Sequence, residues 1–168
     1  ENAAPVVSLY NDADPNDPSL VINEGASATL LDAAAGLSDA DGDADWNGGT
    51  LTIQISNNAE AGDRISIDDQ NTDQADDNPQ VTITTSGTDL LANGTSIGTL
   101  SAADGVVTGS NTLTITFNAN ATNTFVREVL QSVRLSHTGD TPSTNIRTLT
   151  VTATDKNSNQ GSDTRTFK

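Results

Sequence analysis

The sequence predicts an all-β fold, an antiparallel β-sandwich with one short helix near residues 122–131. Three observations predict it. Aliphatic residues alternate with Thr and Ser at a period of two in segment after segment, the mark of strands that bury one face. Turns rich in Gly, Asn, Asp and Ser separate those segments. One stretch alone changes to a helical period.

Residues 5–10, 20–22 and 28–31 are short apolar candidates near the start. Leu51-Thr52-Ile53-Gln54-Ile55-Ser56 is a strict alternation, repeated in Ile65-Ser66-Ile67 and Val81-Thr82-Ile83-Thr84. Leu113-Thr114-Ile115-Thr116-Phe117, Val133-Arg134-Leu135 and Leu149-Thr150-Val151-Thr152-Ala153 continue it. Asn93-Gly94 and Asp104-Gly105 supply the positive φ angles that hairpin turns require. Phe125, Val126, Val129, Leu130 and Val133 fall on one helical face, with Thr122 or Asn123 placed to cap it. This helix is expected to cover one open end of the sandwich, a structural role. The polar stretch from Asp68 to Gln80, with Asp68, Asp69, Asp73, Asp76 and Asp77, reads as a mobile insertion. No internal repeat is long enough to divide the chain, so residues 1–168 are expected to form one domain.

Composition narrows the function classes. The chain has 168 residues and a net charge of −16, from 23 Asp and Glu against 7 Lys and Arg. Like-charge repulsion argues against a nucleic-acid or anionic-membrane partner and invites a cation. With aromatics at 3%, the core must be built from Val, Ile, Leu and Ala. The absence of Cys excludes disulfides, a thiol nucleophile and a zinc–thiolate site. No apolar run approaches the ~18 residues of a membrane helix, and no signal peptide opens the chain. Glu1 lies within a polar stretch, as in a segment cut from a longer protein. Low hydrophobicity with high charge also fits disorder, but a disordered chain does not sustain such alternation.

The densest acidic cluster is Asp39, Asp41, Asp43 and Asp45, at alternate positions before Trp46. Close carboxylates repel and raise one another's pKa, and a hard cation removes that cost. Ca²⁺ is the natural choice, since it accepts about six to eight oxygen ligands in a flexible geometry. The D-x-D-x-D spacing also opens an EF-hand loop, but that loop needs Gly and Glu where this chain has Ala44 and Thr50. The expectation is a Ca²⁺ loop of another kind, with a solvated acidic turn as the alternative. Other acids, among them Asp12, Asp14, Asp17 and Asp63, read as turn residues.

Enzyme chemistry has little to stand on. G-x-S-x-G, paired His ligands and a Walker-type loop are all missing, and the lone His137 reads as a half-exposed residue at a strand end. Two suitably spaced carboxylates could serve a glycosidase, but five aromatics cannot line much of a cleft. The expectation is a protein that is not an enzyme.

Glu1-Asn2-Ala3-Ala4-Pro5-Val6-Val7 resembles the linker that opens cadherin-type repeats. Glu24 matches their early strand-end Glu, and Ala153-Thr154-Asp155 is similar to their A-x-D. The stretches 93–99, 117–122 and 147–155 resemble the cadherin-like and Ig-like modules of large bacterial repeats-in-toxin (RTX) adhesins. The resemblance implies a Greek-key, Ca²⁺-dependent sandwich module on the bacterial cell surface or secreted, a monomeric unit whose partners are adjacent tandem domains. It implies linker-site ligands at Glu1, Glu24 and Asp155, with Asn2 adding an oxygen. The expected role is a Ca²⁺-rigidified spacer or stalk in cell adhesion and biofilm formation. The alternative is a module that recognises a glycan or peptide at a Ca²⁺-rimmed loop, with Trp46 stacking on a sugar; the commoner fate of a sole Trp is to plug the end of the sandwich or pack under its own loop. The Thr residues alternate with buried aliphatics and read as ordinary outward strand residues, not as an ice-binding face.

Overall fold

The computed structural model describes residues 1–68 and 80–168. The strands are β1 (Val6–Ser8), β2 (Thr29–Leu30), β3 (Gly36–Ser38), β4 (Thr50–Asn57), β5 (Asp63–Ile67), β6 (Ile83–Ser86), β7 (Asp89–Ala92), β8 (Thr95–Leu100), β9 (Val107–Thr108) and β10 (Leu113–Phe117). The helix α1 (Asn123–Gln131) follows, then β11 (Val133–His137), β12 (Arg147–Thr154) and β13 (Gln160–Phe167). The fold is mostly β, and every strand pair among the described residues is antiparallel. One sheet has seven strands in the order β13-β12-β4-β10-β8-β7-β6, a second has four in the order β2-β11-β5-β9, and β1 pairs β3.

Alternation becomes burial in the central strands. Leu51, Ile53 and Ile55 of β4 lie beside Leu149, Val151 and Ala153 of β12, all buried, with Thr on the other face. Ile65 and Ile67 of β5 and Val133 and Leu135 of β11 bring the second sheet into the same apolar cluster. Burying aliphatic side chains at roughly 25 cal/mol per Å² is the main term holding such a fold.

The helix begins where Thr122 takes the Phe125 N–H on its hydroxyl at 3.0 Å, which decides the cap between the two candidates. Val126, Val129 and Leu130 are fully buried, and Gln131 donates to the Ala35 carbonyl at 2.9 Å, tying the helix beside β3.

Three local expectations change. Residues 20–22 form no strand; they make only a bridge to Lys168, with Ile22 N–H donating to the Lys168 carbonyl and Lys168 N–H to that of Leu20. The strand expected at 81–84 starts at Ile83, because the Thr82 N–H goes to the Asn93 side chain at 2.9 Å. Asn93-Gly94 turns a hairpin with both φ positive, but Asp104-Gly105, also with positive φ, sits in a 3₁₀ turn that carries the chain from one sheet to the other. β13 is polar along its length except for Phe167, so it offers no alternation to read. The expected insertion lies outside the described residues apart from Asp68 and Gln80.

Candidate metal centre

The acidic turn after β3 is built around Asn123. Its Oδ1 accepts from the Asp39 N–H at 2.7 Å and from the Trp46 Nε1–H at 2.8 Å, while its Nδ2 donates to the Asp39 carbonyl at 3.0 Å. The turn closes with the Asp41 N–H on Asp39 Oδ1 at 2.8 Å, and Gly42 at φ 96° leads into a 3₁₀ turn over Asp43–Trp46. That geometry sends alternate Asp side chains in different directions. Asp39 and Asp45 are buried, whereas Asp41 and Asp43 are exposed.

Asp155 comes from the far end of the chain, in the turn between β12 and β13. Its Oδ1 accepts the Asn157 and Asn159 N–H groups at 2.7 and 2.9 Å, and its Oδ2 the Asn159 Nδ2 at 3.0 Å. One carboxylate oxygen each from Asp39, Asp45 and Asp155 lies within 4.8 Å of the others. The three residues are only 2%, 5% and 3% exposed. Asp39 Oδ2 is buried there with no hydrogen-bond partner. An orphaned buried anionic oxygen is costly. Burial pushes the Asp39 carboxyl above its ordinary value, opposed by the Asp41 N–H and reinforced by the charges of Asp45, Asp41 and Asp155. Asp45 is instead held low, first by Lys156 and then by Asn2. The Lys156 ammonium stands 2.8 Å from Asp45 Oδ1.

The segment before β1 forms the rim. Asn2 Nδ2 donates to Asp45 Oδ2 at 2.5 Å and to Asp41 Oδ2 at 3.1 Å, and the Ala3 N–H donates to Asp41 at 2.6 Å. Asn2 Oδ1 accepts from Asn159. The donors are all hard oxygens, and two ligands across one Ca²⁺ stand up to about 5 Å apart, so the spacing fits that ion. Asp39, Asp45 and Asp155 would hold it, with Asn2 and Asp41 at the edge.

Three expected site residues are placed elsewhere. Asp43 accepts the Asn123 N–H at 2.8 Å and so sits against the start of α1, where a negative charge is favoured. Trp46 is 0% exposed and packs edge-on to Phe117 at 5.7 Å, which leaves no face for a sugar. Glu24 is exposed beside the bridge to Lys168, level with the Arg147–Phe167 end of the β12–β13 pair. Asp155 is at the other end, one eight-residue strand away, roughly 25 Å. Glu24 therefore cannot share an ion with Asp155. Glu1 is exposed next to Asn2.

Sequence reasoning missed Asn157, Asn159 and Lys156. The signal was present in Asp155-Lys156-Asn157-Ser158-Asn159, an acid–amide alternation like the one at 39–45. It also missed a second cluster, Glu60, Asp63 and His137, whose ligand atoms converge within 4.8 Å. Here the cation is a side chain. The fully buried Arg147 places Nη1 2.5 Å from Asp63 Oδ1 and 3.7 Å from Glu60 Oε2, and its guanidinium lies 4.8 Å from the Phe167 ring centre. His137 is buried, not half-exposed, with Nε2 3.1 Å from Glu60. A guanidinium already occupies the centre, so this is an ion-pair network holding β5, β11 and β12 together.

Comparison with family models, with curated proteins and with solved structures finds no match.

Proposed function

We propose that this chain is an extracellular, calcium-binding β-sandwich module of cadherin-like or Ig-like type, working as a Ca²⁺-rigidified spacer in a large bacterial surface adhesin. The observation that carries it is the buried triad of Asp39, Asp45 and Asp155 with an unpartnered Asp39 oxygen, a charge arrangement that one divalent cation completes. One feature supports the spacer role. The segment bearing Glu1 and Asn2 is bonded to the site itself, so an ion there would stiffen that segment against the sheet.

Calorimetric titration with Ca²⁺ tests the reading. Asp39→Asn and Asp155→Asn should each remove one bound ion, while Asp43→Asn should leave the stoichiometry unchanged. Equal stoichiometry in all of them would reject the site.

A further inference from the structure

The three buried carboxylates of the acidic triad are not held alike. Asp155 is held by its own turn, where the Asn157 and Asn159 N–H groups and the Asn159 side chain reach both of its oxygens. Asp39 has one oxygen on the Asp41 N–H and the other buried without a partner. Asp45 gives Oδ2 to the side-chain amides of Asn2 and Asn157, at 2.5 and 3.4 Å. Its Oδ1 goes to the Lys156 ammonium at 2.8 Å. Amide donors bring partial charge, whereas the ammonium brings a whole one, on the Asp45 oxygen that the amides leave open.

Lys156 is placed so that its charge can come and go. Its backbone is fixed, since its N–H donates to the Asp45 carbonyl at 2.9 Å. Its side chain is 42% exposed and rides on a flexible four-carbon stem. The ammonium can therefore swing into water with no change in the backbone. Its hydrogen bond to Asp45 comes first among the effects that raise its pKa, ahead of the charges of Asp45, Asp155 and Asp41. Those are the carboxylates an ion at this site would meet. Yet one ammonium does not complete the site. Burial, and after it the charges of Asp45, Asp41 and Asp155, burden the Asp39 carboxylate, and the offset comes from the Asp41 N–H, not from Lys156.

We propose that Lys156 is a tethered cation that holds Asp45 while calcium is absent and must leave it for calcium to bind, so that it sets the calcium affinity of the site. This rests on the calcium reading above and names how that same site is regulated. Displacing a half-exposed, charge-assisted pair lowers affinity about tenfold. A monovalent ion only exchanges one positive charge for another, so the same residue favours a divalent ion over Na⁺ or K⁺.

The chain has two lysines, and Lys168 pairs with Asp17 at the other end of β13, which makes it an internal reference. Acylation of the unaltered chain, read by mass spectrometry, should rise several-fold at Lys156 when Ca²⁺ is added and stay constant at Lys168. NaCl at matched ionic strength should change neither. In calorimetric titration, Lys156→Met, which keeps the stem and removes the charge, should bind Ca²⁺ about tenfold more tightly at unchanged stoichiometry. The same variant should melt about 2–4 °C lower in EDTA, where Asp45 has lost its cation. Lys156→Arg, which keeps the charge, should bind Ca²⁺ no more tightly than the unaltered chain. A merely structural lysine would instead lower stability and affinity together in Lys156→Met. Equal or weaker affinity in that variant, or constant acylation of Lys156 while Ca²⁺ binds, overturns the proposal and leaves the calcium site standing. Absence of Ca²⁺ binding in both chains overturns proposal and calcium reading alike. Binding in Lys156→Met alone supports the proposal, as a site closed by its own lysine.

Discussion

Asn2 Nδ2 and Asp45 Oδ2 are 2.5 Å apart although 43 positions separate them in the chain. That bond fastens the segment ahead of β1 onto the buried acidic triad, so charge at the triad and order in the segment are linked. A cation bound to the native state would then stabilise both at once.

Calcium should therefore raise the melting temperature well above that in EDTA. A site with Kd ~10⁻⁴ M adds about 2.7 kcal/mol at ~10 mM Ca²⁺. Mg²⁺, which keeps its waters and wants a tighter shell, should do much less at equal ionic strength. Melting curves in the three buffers decide it; a Ca²⁺ curve no higher than the Mg²⁺ curve would reduce the acids to solubility.

Gly161→Ala should weaken calcium binding without touching a ligand. A Cβ on Gly161 would stand 1.8 Å from the Pro5 carbonyl oxygen, so the backbone that carries Asn2 must move. The strain should cost about 1–3 kcal/mol. Denaturation and titration of the variant should show both losses; unchanged calcium affinity would mean that the Asn2 segment is irrelevant to the site.

Arg147→Met should be among the most damaging single changes. It leaves Asp63 buried beside Glu60 with its cation gone, and removing one partner of a buried pair costs about 3–5 kcal/mol. Urea denaturation measures it. A loss below about 1 kcal/mol would show that the network contributes packing alone.

Acid should undo part of the same network through Glu60. The Ser143 backbone N–H holds the Glu60 carboxyl below its ordinary value of 4.5, helped by the Ser143 hydroxyl, Arg147 and His137 against the opposing effect of burial. A depressed pKa in the folded state means a contribution that is whole above about 4.5 and is lost as pH falls through the folded value. Glu60→Gln should flatten the fall in melting temperature below that pH. Parallel curves for the variant and the unaltered chain would remove Glu60 from the acid response.

What the sequence determined by itself is what depends on near neighbours. Alternation at 51–56 and 149–153 made β4 and β12, because period two puts every second side chain on one face. Thr122 and the apolar spacing after it made α1, because a cap and a stripe are both local. Asp39, Asp41, Asp43 and Asp45 look equivalent in the sequence, and only the turn geometry, set by Asn123 from 84 positions away, turned two of them inward and two outward. Asp155 joined that pair, and Glu24 was carried to the far pole, because the register of β12 on β4 and the length of β12 fix which loops share an end. Arg147 met Asp63 for the same reason, across 84 positions that no local pattern spans. Buried charge clusters are products of strand register, a long-range quantity, so only the tertiary structure decided where the charges of this chain converge.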